Sequence, residues 1–278
     1  MKMAQMSLFR MARQQMDWLG DRQAVLAQNI ANADTPNYRA KDLKALSFER
    51  ELREVNPVRL KATSGTHLQG TVQKPDHRVE ELRPREVYET NPNDNGIVLE
   101  EQVMKVSDTQ MKYQLAFEHL PEKHDHAADS HRSGQPLSGE GRTMELMNAI
   151  KISASGMQAQ GTRLRVVAEN VANADSMGNK PGDDPYRRKT ITFQDTLDRS
   201  LNADLVKVKK IGRDMGDFDS SYEPHHPLAD ENGYVKRPNV NTLIEMTDLK
   251  EAQRGYEANV SVIDSSKAMI QRTIDLLR

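Results

Sequence analysis

The sequence predicts a mainly α-helical protein made of two similar units, each with an N-terminal and a C-terminal heptad helix packed as a coiled coil. A short motif, Asn-Ile/Val-Ala-Asn-Ala-Asp, occupies residues 29–34 and recurs 141 residues later at 170–175. A row of apolar residues with heptad spacing precedes each copy, and a second row lies near the far end of each half. Because self-similarity at a fixed spacing is a property of the whole fold, the repeat sets the domain division.

The composition suits thin helical layers better than one thick core. The 278 residues are 36% hydrophobic and 5% aromatic, with a net charge of −2, which gives no indication of nucleic-acid binding. The chain has no apolar run near the roughly 20 residues that span a bilayer, and its N-terminus lacks the pattern of a cleaved signal peptide. The absence of cysteine excludes disulfides, zinc–thiolate sites and cysteine nucleophiles.

The first unit is predicted to span residues 1–120. Its first helix, 5–33, has apolar or small residues at alternating steps of three and four, interrupted only by Gln23. Residues 35–97 are rich in proline, glycine and charge and are predicted to be irregular, whereas the heptad spacing resumes in a second helix at 98–120. The predicted seam residues of this unit are Phe9, Met16, Leu26, Ile30, Val103 and Tyr113.

A polar, turn-rich stretch at 121–143 predicts a flexible linker before the second unit, 144–278. That unit is predicted to contain a helix at 145–175, a small β-rich part at 185–238 and a helix at 241–278. The β-rich part is expected to have a small core of Ile191, Phe193, Phe218, Tyr222 and Tyr234. The predicted seam residues are Met157, Leu164, Val167, Leu249, Tyr256, Val260, Ile263 and Ile270.

A heptad stripe needs a partner, because a helix cannot bury its own apolar face. We therefore expect the two stripes of each unit to pack together, with the middle of the unit projecting between them. Burial contributes about 1.5–3 kcal/mol per large apolar side chain, which only just offsets the ordering of two helices. Further partners are expected, either in the other unit or in other molecules.

The repeated asparagine motif has two compatible interpretations. Short amide side chains at the end of a helix can cap its unpaired carbonyls locally. Recurrence in both units also favours a hydrogen-bonding patch between molecules. The candidate assembly residues are Asn29, Asn32, Asp34, Pro36, Tyr38, Asn170, Asn173, Asp175 and Tyr186.

No catalytic, cofactor or metal site is predicted. His119, His124, His126 and His131 lie in or beside the linker, without the apolar surroundings and with few of the nearby carboxylates that support a metal site, so a solvated linker is the favoured interpretation. The chain has no G-x-S-x-G motif, P-loop or dinucleotide-binding loop.

These features resemble the flagellar axial proteins, a family that comprises the rod, hook and hook-associated proteins. The motif at the end of each first helix, Ile152-Ser-Ala-Ser-Gly-Met-Gln-Ala-Gln160, and Pro238-Asn-Val-Asn-Thr-Leu-Ile-Glu-Met246 carry the resemblance. Within the family, residues 1–120 resemble the FlgB-type rod proteins and residues 144–278 the FlgC-type rod proteins. The two types are ordinarily separate chains, so the sequence looks like a fusion.

The resemblance implies a non-enzymatic subunit of the proximal basal-body rod, which assembles through its terminal helices into a helical axial tube that transmits torque. It implies partners among the other rod proteins, the rod-base adaptor and the export apparatus, with self-association in the assembly, no nucleic acid and no direct membrane span. The implied location is the periplasm-spanning rod, reached by type III export without a cleaved signal peptide.

One departure and two alternatives stand beside this interpretation. The second helix of the first unit stops at Pro121, whereas the resemblance implies a longer C-terminal helix. The first alternative is a stand-alone coiled-coil adaptor or a type III exported protein outside any filament. The second is a metal-dependent hydrolase that uses the linker histidines.

Overall fold

The computed structural model describes residues 2–46, 77–81, 95–118, 139–180 and 182–277. About half of the chain is helical, and the described residues form four helices and three two-stranded antiparallel sheets. None of the described helices is both long and apolar enough to cross a membrane.

The first unit contains helix α1 (Lys2–Ala31), strands β1 (Lys41–Leu43) and β2 (Val79–Glu81), and helix α2 (Leu99–Glu118). After α1 the chain turns through Asn37, whose positive φ of 61° is a conformation that asparagine tolerates better than most residues. The antiparallel β1–β2 pair falls inside the segment that was predicted to be irregular, so that prediction is wrong for these strands.

The rest of the predicted irregular segment, 47–76 and 82–94, lies outside the described residues, as does most of the predicted linker. Residues 139–143, which were assigned to the linker, form the first turn of a helix instead. The predicted seam residue Phe9 lies on α1, in a part whose side chains are not described.

The second unit places a set of strands between two long helices. The elements are α3 (Gly139–Ala172), β3 (Lys189–Asp198), β4 (Ala203–Arg213), β5 (Asp219–Tyr222), β6 (Tyr234–Arg237) and α4 (Thr242–Leu277). Strands β3 and β4 form a hairpin with a register shift between Thr192 and Phe193, and β5 pairs with β6.

The β-rich part lacks the core that was predicted for it. Phe193 is buried, but it belongs to a cluster formed mainly by the helices. Tyr222 and Tyr234 are 65% and 47% exposed and pack edge to face on the surface, with ring centres 5.2 Å apart. A two-stranded sheet has too little area to bury two tyrosines, so the strands depend on the helices for their core.

The two units share their buried core. Within each unit the two helices pack together, and between the units α1 packs on α3 and α2 on α4. Both units contribute side chains to one large cluster and to a second one: Leu26, Ile30, Val106, Ile152, Phe193 and Val262 belong to the first, and Met16, Leu19, Tyr113, Leu146 and Met269 to the second.

The buried row of α4 lies one residue before the predicted seam. The buried side chains include Asn259, Val262, Ser266, Met269 and Thr273, whereas the predicted Leu249, Val260, Ile263 and Ile270 are half-buried and Tyr256 is 36% exposed. A similar shift affects α3, where Gly156 is buried and the predicted Met157 and Leu164 are half-buried, while Val167 is buried.

Small residues explain this shift. A Cβ atom added to Gly156 of α3 would lie 2.5 Å from Asn259 Oδ1 and 3.0 Å from Ala31 Cα, and one added to Gly255 of α4 would lie 3.1 Å from Gln160. The backbones of α3 and α4 therefore approach closely through small residues, and the larger apolar side chains of α4 turn away from the contact.

Candidate assembly site

The first asparagine of the motif ties the end of α1 to two other elements. Asn29 is fully buried, and its side-chain oxygen accepts a hydrogen bond from the Lys41 backbone N–H at 2.9 Å. Its side-chain nitrogen donates to the Lys41 carbonyl at 2.7 Å and to Gln102 Oε1 at 2.9 Å. One amide thus joins the helix end to the start of β1 and to the first turn of α2.

Asn170 makes the same set of contacts in the second unit. Its side-chain oxygen accepts from the Lys189 N–H, and its nitrogen donates to the Lys189 carbonyl and to Glu245 Oε2, all at 2.9 Å. The hydroxyl of Tyr186 adds a fourth bond, donating to Asn170 Oδ1 at 2.9 Å. We call the sets of bonds around Asn29 and Asn170 the two asparagine junctions. They are therefore equivalent in structure as well as in sequence.

The second asparagine of each motif caps its helix locally. Asn32 and Asn173 each donate to the carbonyl four residues earlier, at 3.0 and 2.8 Å. Each accepts from a hydroxyl three residues later, Thr35 or Ser176, at 3.1 Å. The same carbonyls, those of Gln28 and Glu169, also accept the backbone N–H of these asparagines, so each side chain reinforces the last turn of its helix.

Burial decides which candidate assembly residues can reach another molecule. Asn29, Asn32 and Asn170 are at most 1% exposed and are bonded within the chain, and Tyr38 is 5% exposed. Asp34, Asn173 and Tyr186 are half-buried, whereas Pro36 and Asp175 lie on the surface. The structure thus supports local organisation of the helix ends by the asparagines, and contact with other molecules remains a prediction.

The two junctions differ in charge, and the difference is compensated. Gln102 is neutral, but its counterpart Glu245 is a fully buried carboxylate. Arg188 donates through its Nε to Glu245 Oε1, and the position that corresponds to Arg188 in the first unit is Ala40. A buried carboxylate requires such a partner, because desolvation disfavours the charge.

Sequence reasoning missed Gln102, Glu245 and Arg188, because they lie outside the motif. A comparison of positions 143 residues apart in the second helices would have paired Gln102 with Glu245. Asn95 was also missed: its side-chain nitrogen donates to three carbonyls of the turn after α1, including that of Thr35 at 2.9 Å.

The turn after α1 also contacts the second unit. Asp34 pairs with Arg163 at 3.0 Å, and Lys41 pairs with Asp204 at 2.8 Å. Burial opposes the charge of Arg163, but the carboxylates around it, Asp34 first, outweigh that effect and raise its pKa. Burial, with a contribution from Asp204, likewise raises the pKa of Tyr38.

Further contacts between the two units lie between their helices, away from the turn after α1. Gln23, the polar residue of the first stripe, donates to Ser266 Oγ at 3.2 Å, and Tyr113 shares a hydrogen bond of 2.6 Å with Thr273. Glu100 of α2 pairs with Arg254 of α4 at 3.7 Å. The predicted seam residues Met16, Leu26, Ile30 and Tyr113 are buried, and Val103 is half-buried.

A cleft of about 640 Å³ lies between the two junctions. Its charged walls are held in ion pairs, with Arg163 bound to Asp34 and Arg188 bound to Glu245. Pairing of this kind holds two elements together. The Arg163–Asp34 pair joins the two units across the cleft, and the Arg188–Glu245 pair joins two elements of the second unit.

The histidines do not form a site in the described part of the chain. The four linker histidines lie outside the described residues. His226 accepts a hydrogen bond from the Leu228 N–H at 3.2 Å within a turn. Among the described residues, no group of three or more potential ligands could hold a metal ion.

Two protein-family models match the chain. The model described as flagella basal body rod protein matches twice, at residues 19–39 and 150–179, and each match contains one copy of the asparagine motif. The model described as flagellar basal body rod FlgEFG protein C-terminal matches residues 231–276, which include most of α4.

Curated relatives match this chain over almost their whole length. The chain is 55% identical over 133 residues to the flagellar basal-body rod protein FlgC of Agrobacterium fabrum, which covers 48% of this chain and 96% of the relative. It is 41% identical to the FlgC of Salmonella typhimurium over 48% of this chain and 98% of the relative. The FlgC of Bacillus subtilis is 36% identical over 48% of this chain and 99% of its own length.

Proposed function

The chain belongs to the flagellar basal-body rod proteins, and on that premise we propose that it is a non-enzymatic structural subunit of the proximal rod. The observation that supports this proposal most directly is that FlgC-type rod proteins match the chain over 96–98% of their own length, at 41–55% identity. As a rod subunit the protein is located in the flagellar basal body. Its helices then serve to assemble an axial tube that transmits torque.

The first half contributes a second rod unit, of the FlgB type. The rod-protein family model matches residues 19–39 as well as 150–179, and the buried asparagine bonds that organise Asn170 recur at Asn29. These observations support two rod units in one polypeptide. Such a chain delivers its two units in equal numbers and next to each other.

The partners of this subunit are other components of the flagellar rod. Helix α4 exposes side chains that the chain itself leaves uncovered, among them Leu243, Ile244 and Met246, as rod assembly requires. The rod-base adaptor and the type III export apparatus are further partners, the first as a template for assembly and the second as the route of secretion.

Deletion of the gene in its own host tests the proposal. The expected result is loss of swimming and of basal bodies that contain a rod, with recovery when the full chain is supplied in trans. Normal basal bodies in the deletion strain would contradict the proposal and favour an exported adaptor outside the filament.

An immunoblot of purified basal bodies tests the two-unit form. The expected result is one band at 31.5 kDa, the mass of the intact chain. Two smaller bands would show that the units separate before assembly, and absence from basal bodies would contradict a structural role.

A further inference from the structure

The contact between the two units joins two different surfaces. We define the front face of a unit as the surface through which the first unit contacts the second, and the back face as the surface that receives it. On the first unit the front face includes Gln23, Asp34, Glu100 and Tyr113. On the second unit the back face includes Arg163, Arg254, Ser266 and Thr273.

A front-to-back contact within one chain leaves one front face and one back face unused. Because the units are equivalent at their asparagine junctions, the second unit has a front face and the first unit has the part of a back face that lies on α1 and α2. The counterparts of Ser266 and Thr273, which are Lys123 and Ser130, lie outside the described residues. A contact between unlike surfaces of repeated units extends to further copies unless the rotation closes a ring. The unused surfaces can be located by applying the repeat offset, which is 141 residues between the first helices and 143 between the second helices.

The front face of the second unit is exposed at three of its four positions, and the fourth, Leu164, the counterpart of Gln23, is half-buried. Leu243, the counterpart of Glu100, is 74% exposed, and Tyr256, the counterpart of the fully buried Tyr113, is 36% exposed. Asp175, the counterpart of Asp34, is on the surface and makes no ion pair with any described residue. Ile244 and Met246, beside Leu243, are 54% and 55% exposed, so an apolar patch lies at the start of α4.

The back face of the first unit is also exposed and apolar. Met104, Met111 and Leu115 are 69%, 70% and 55% exposed and lie along one side of α2 at helical spacing. Met111 is the counterpart of Arg254, and Leu115 is the counterpart of Ala258, which is buried in the core that the two units share. At Leu115 the first unit therefore exposes an apolar side chain at a position whose counterpart is buried within the chain.

The charged framework of the back face is present on the first unit as well. Arg163 pairs with Glu251 at 3.1 Å, and its counterpart Arg22 lies 3.6 Å from Asp108, the counterpart of Glu251. The Arg22–Asp108 pair thus repeats, on α1 and α2, the charged pair beside the surface of α4 that receives the first unit.

We propose that a second copy of this chain docks head to tail, with the Met104–Met111–Leu115 side of its first unit on the Leu243–Met246–Tyr256 side of the second unit of the first copy. The pair that corresponds to Glu100–Arg254 within the chain is Leu243 of one copy against Met111 of the other. An ion pair within the chain is thus replaced by an apolar pair between copies, which explains why both residues are large, apolar and exposed. The proposal deepens the rod-subunit function by naming the partner surface, and it rests on that function only for its cellular test.

Cysteine crosslinking tests the contact directly, because the chain contains no cysteine of its own. Purified L243C and M111C chains are mixed at high concentration and oxidised, and a covalent dimer of about twice the mass of one chain is measured on a non-reducing gel. We expect at least fivefold more dimer from this mixture than from either variant alone. The matched control mixture is M111C with Met215→Cys, since Met215 is 79% exposed and lies outside both faces.

Each outcome decides the proposal. Equal dimer yields in the test and control mixtures, or no dimer, would overturn it, and a dominant L243C–L243C dimer would indicate a contact between like surfaces and overturn it too.

The same chain tests the contact in cells. A double variant with both cysteines is expected to give a ladder of crosslinked chains in purified basal bodies. The chain present in basal bodies without a ladder would overturn this contact and leave the rod function intact, whereas absence of the chain would count against the rod function itself.

Discussion

At the scale of single residues, the first asparagine of each motif joins the end of one helix to a strand and to a second helix. Asn29 and Asn170 each bond both backbone groups of a lysine that begins a strand, and each reaches the first turn of the second helix. Buried backbone groups need partners, and one amide with two donors and one acceptor supplies them at a point where the helix ladder has ended. The motif is therefore a structural joint in each unit.

Replacement of Asn170 by Ala should destabilise the protein by about 3 kcal/mol. The change leaves the backbone N–H and C=O of Lys189 and the carboxylate of Glu245 each short of a buried partner. The measurement is the midpoint of urea unfolding followed by circular dichroism. The control Asp175→Ala removes an exposed side chain of the same motif and should change the free energy by less than about 0.5 kcal/mol. Equal effects would contradict the structural role of Asn170.

Glu145 of α3 predicts a dependence of stability on pH. Burial, followed by the nearby Asp21 and Asp17, raises the pKa of Glu145 from 4.5 to about 8, while His77 acts in the opposite direction. Because the pKa is raised in the folded state, the stabilisation is present in full below pH 4.5 and is lost as pH rises through 8.

The variant Glu145→Gln should remove this loss. We expect the wild-type chain to lose about 1–2 kcal/mol more than the variant between pH 5 and pH 8.5, a value reduced for the partial solvent exposure of the group. Unfolding midpoints across that pH range measure the difference, with Glu257→Gln, at an exposed position of α4, as the control. Identical pH profiles for wild type and E145Q would show that Glu145 is not the titrating group.

At the scale of elements, the helices contact one another through small and polar residues and expose larger apolar ones. Close approach of two helix backbones requires small side chains at the crossing, and Gly156 and Gly255 occupy those places. The heptad spacing of α4 is real, but its large apolar members lie one position away from the buried row. They are half-buried or exposed, and at the start of α4 they form the patch around Leu243.

Alanine substitutions along α4 distinguish the two rows. Met269 is 1% exposed in the core, so Met269→Ala should cost about 2–4 kcal/mol, whereas Ile274 is 45% exposed and Ile274→Ala should cost less than about 1 kcal/mol. Thermal and urea unfolding of the purified chain measure both values. A larger cost at Ile274 would place the predicted heptad row, and not the observed one, in the core.

At the scale of the whole molecule, the two units behave as one folded body. They share both buried clusters, and polar contacts such as Asp34–Arg163 and Lys41–Asp204 join the turn of one unit to the helices and hairpin of the other. A shared core makes the unfolding of one unit expose the surface of the other.

Cleavage of the linker should leave the units associated. A protease site inserted between residues 121 and 138 allows cutting of the purified chain, and the two fragments should elute together from a size-exclusion column. The buried apolar surface between them outweighs the loss of the covalent connection, so added salt, which screens the ion pairs, should not separate them. Separate elution of the fragments in low salt would contradict a shared core.

The sequence by itself determined the repeat, the helix ends and the family. These follow from local and periodic signals: the recurrence of the motif at Asn29 and Asn170, and the apolar spacing of α1, whose predicted residues Met16, Leu26 and Ile30 are buried. The predicted helices agree with the observed ones to within a few residues except at the start of α3.

The tertiary structure alone decided which side of α4 is buried, what the asparagines bond to and how the units pack. An apolar row indicates that a helix has partners, but α4 contacts three other helices, and close packing of small residues took precedence over its large apolar row. The bond from Asn29 to Gln102 and that from Asn170 to Glu245 join residues more than 70 positions apart, and no local pattern specifies such a distance. The sequence specified the apolar rows of the helices and the asparagine motifs at their ends. Three-dimensional packing decided which surfaces meet within the chain and which face outward.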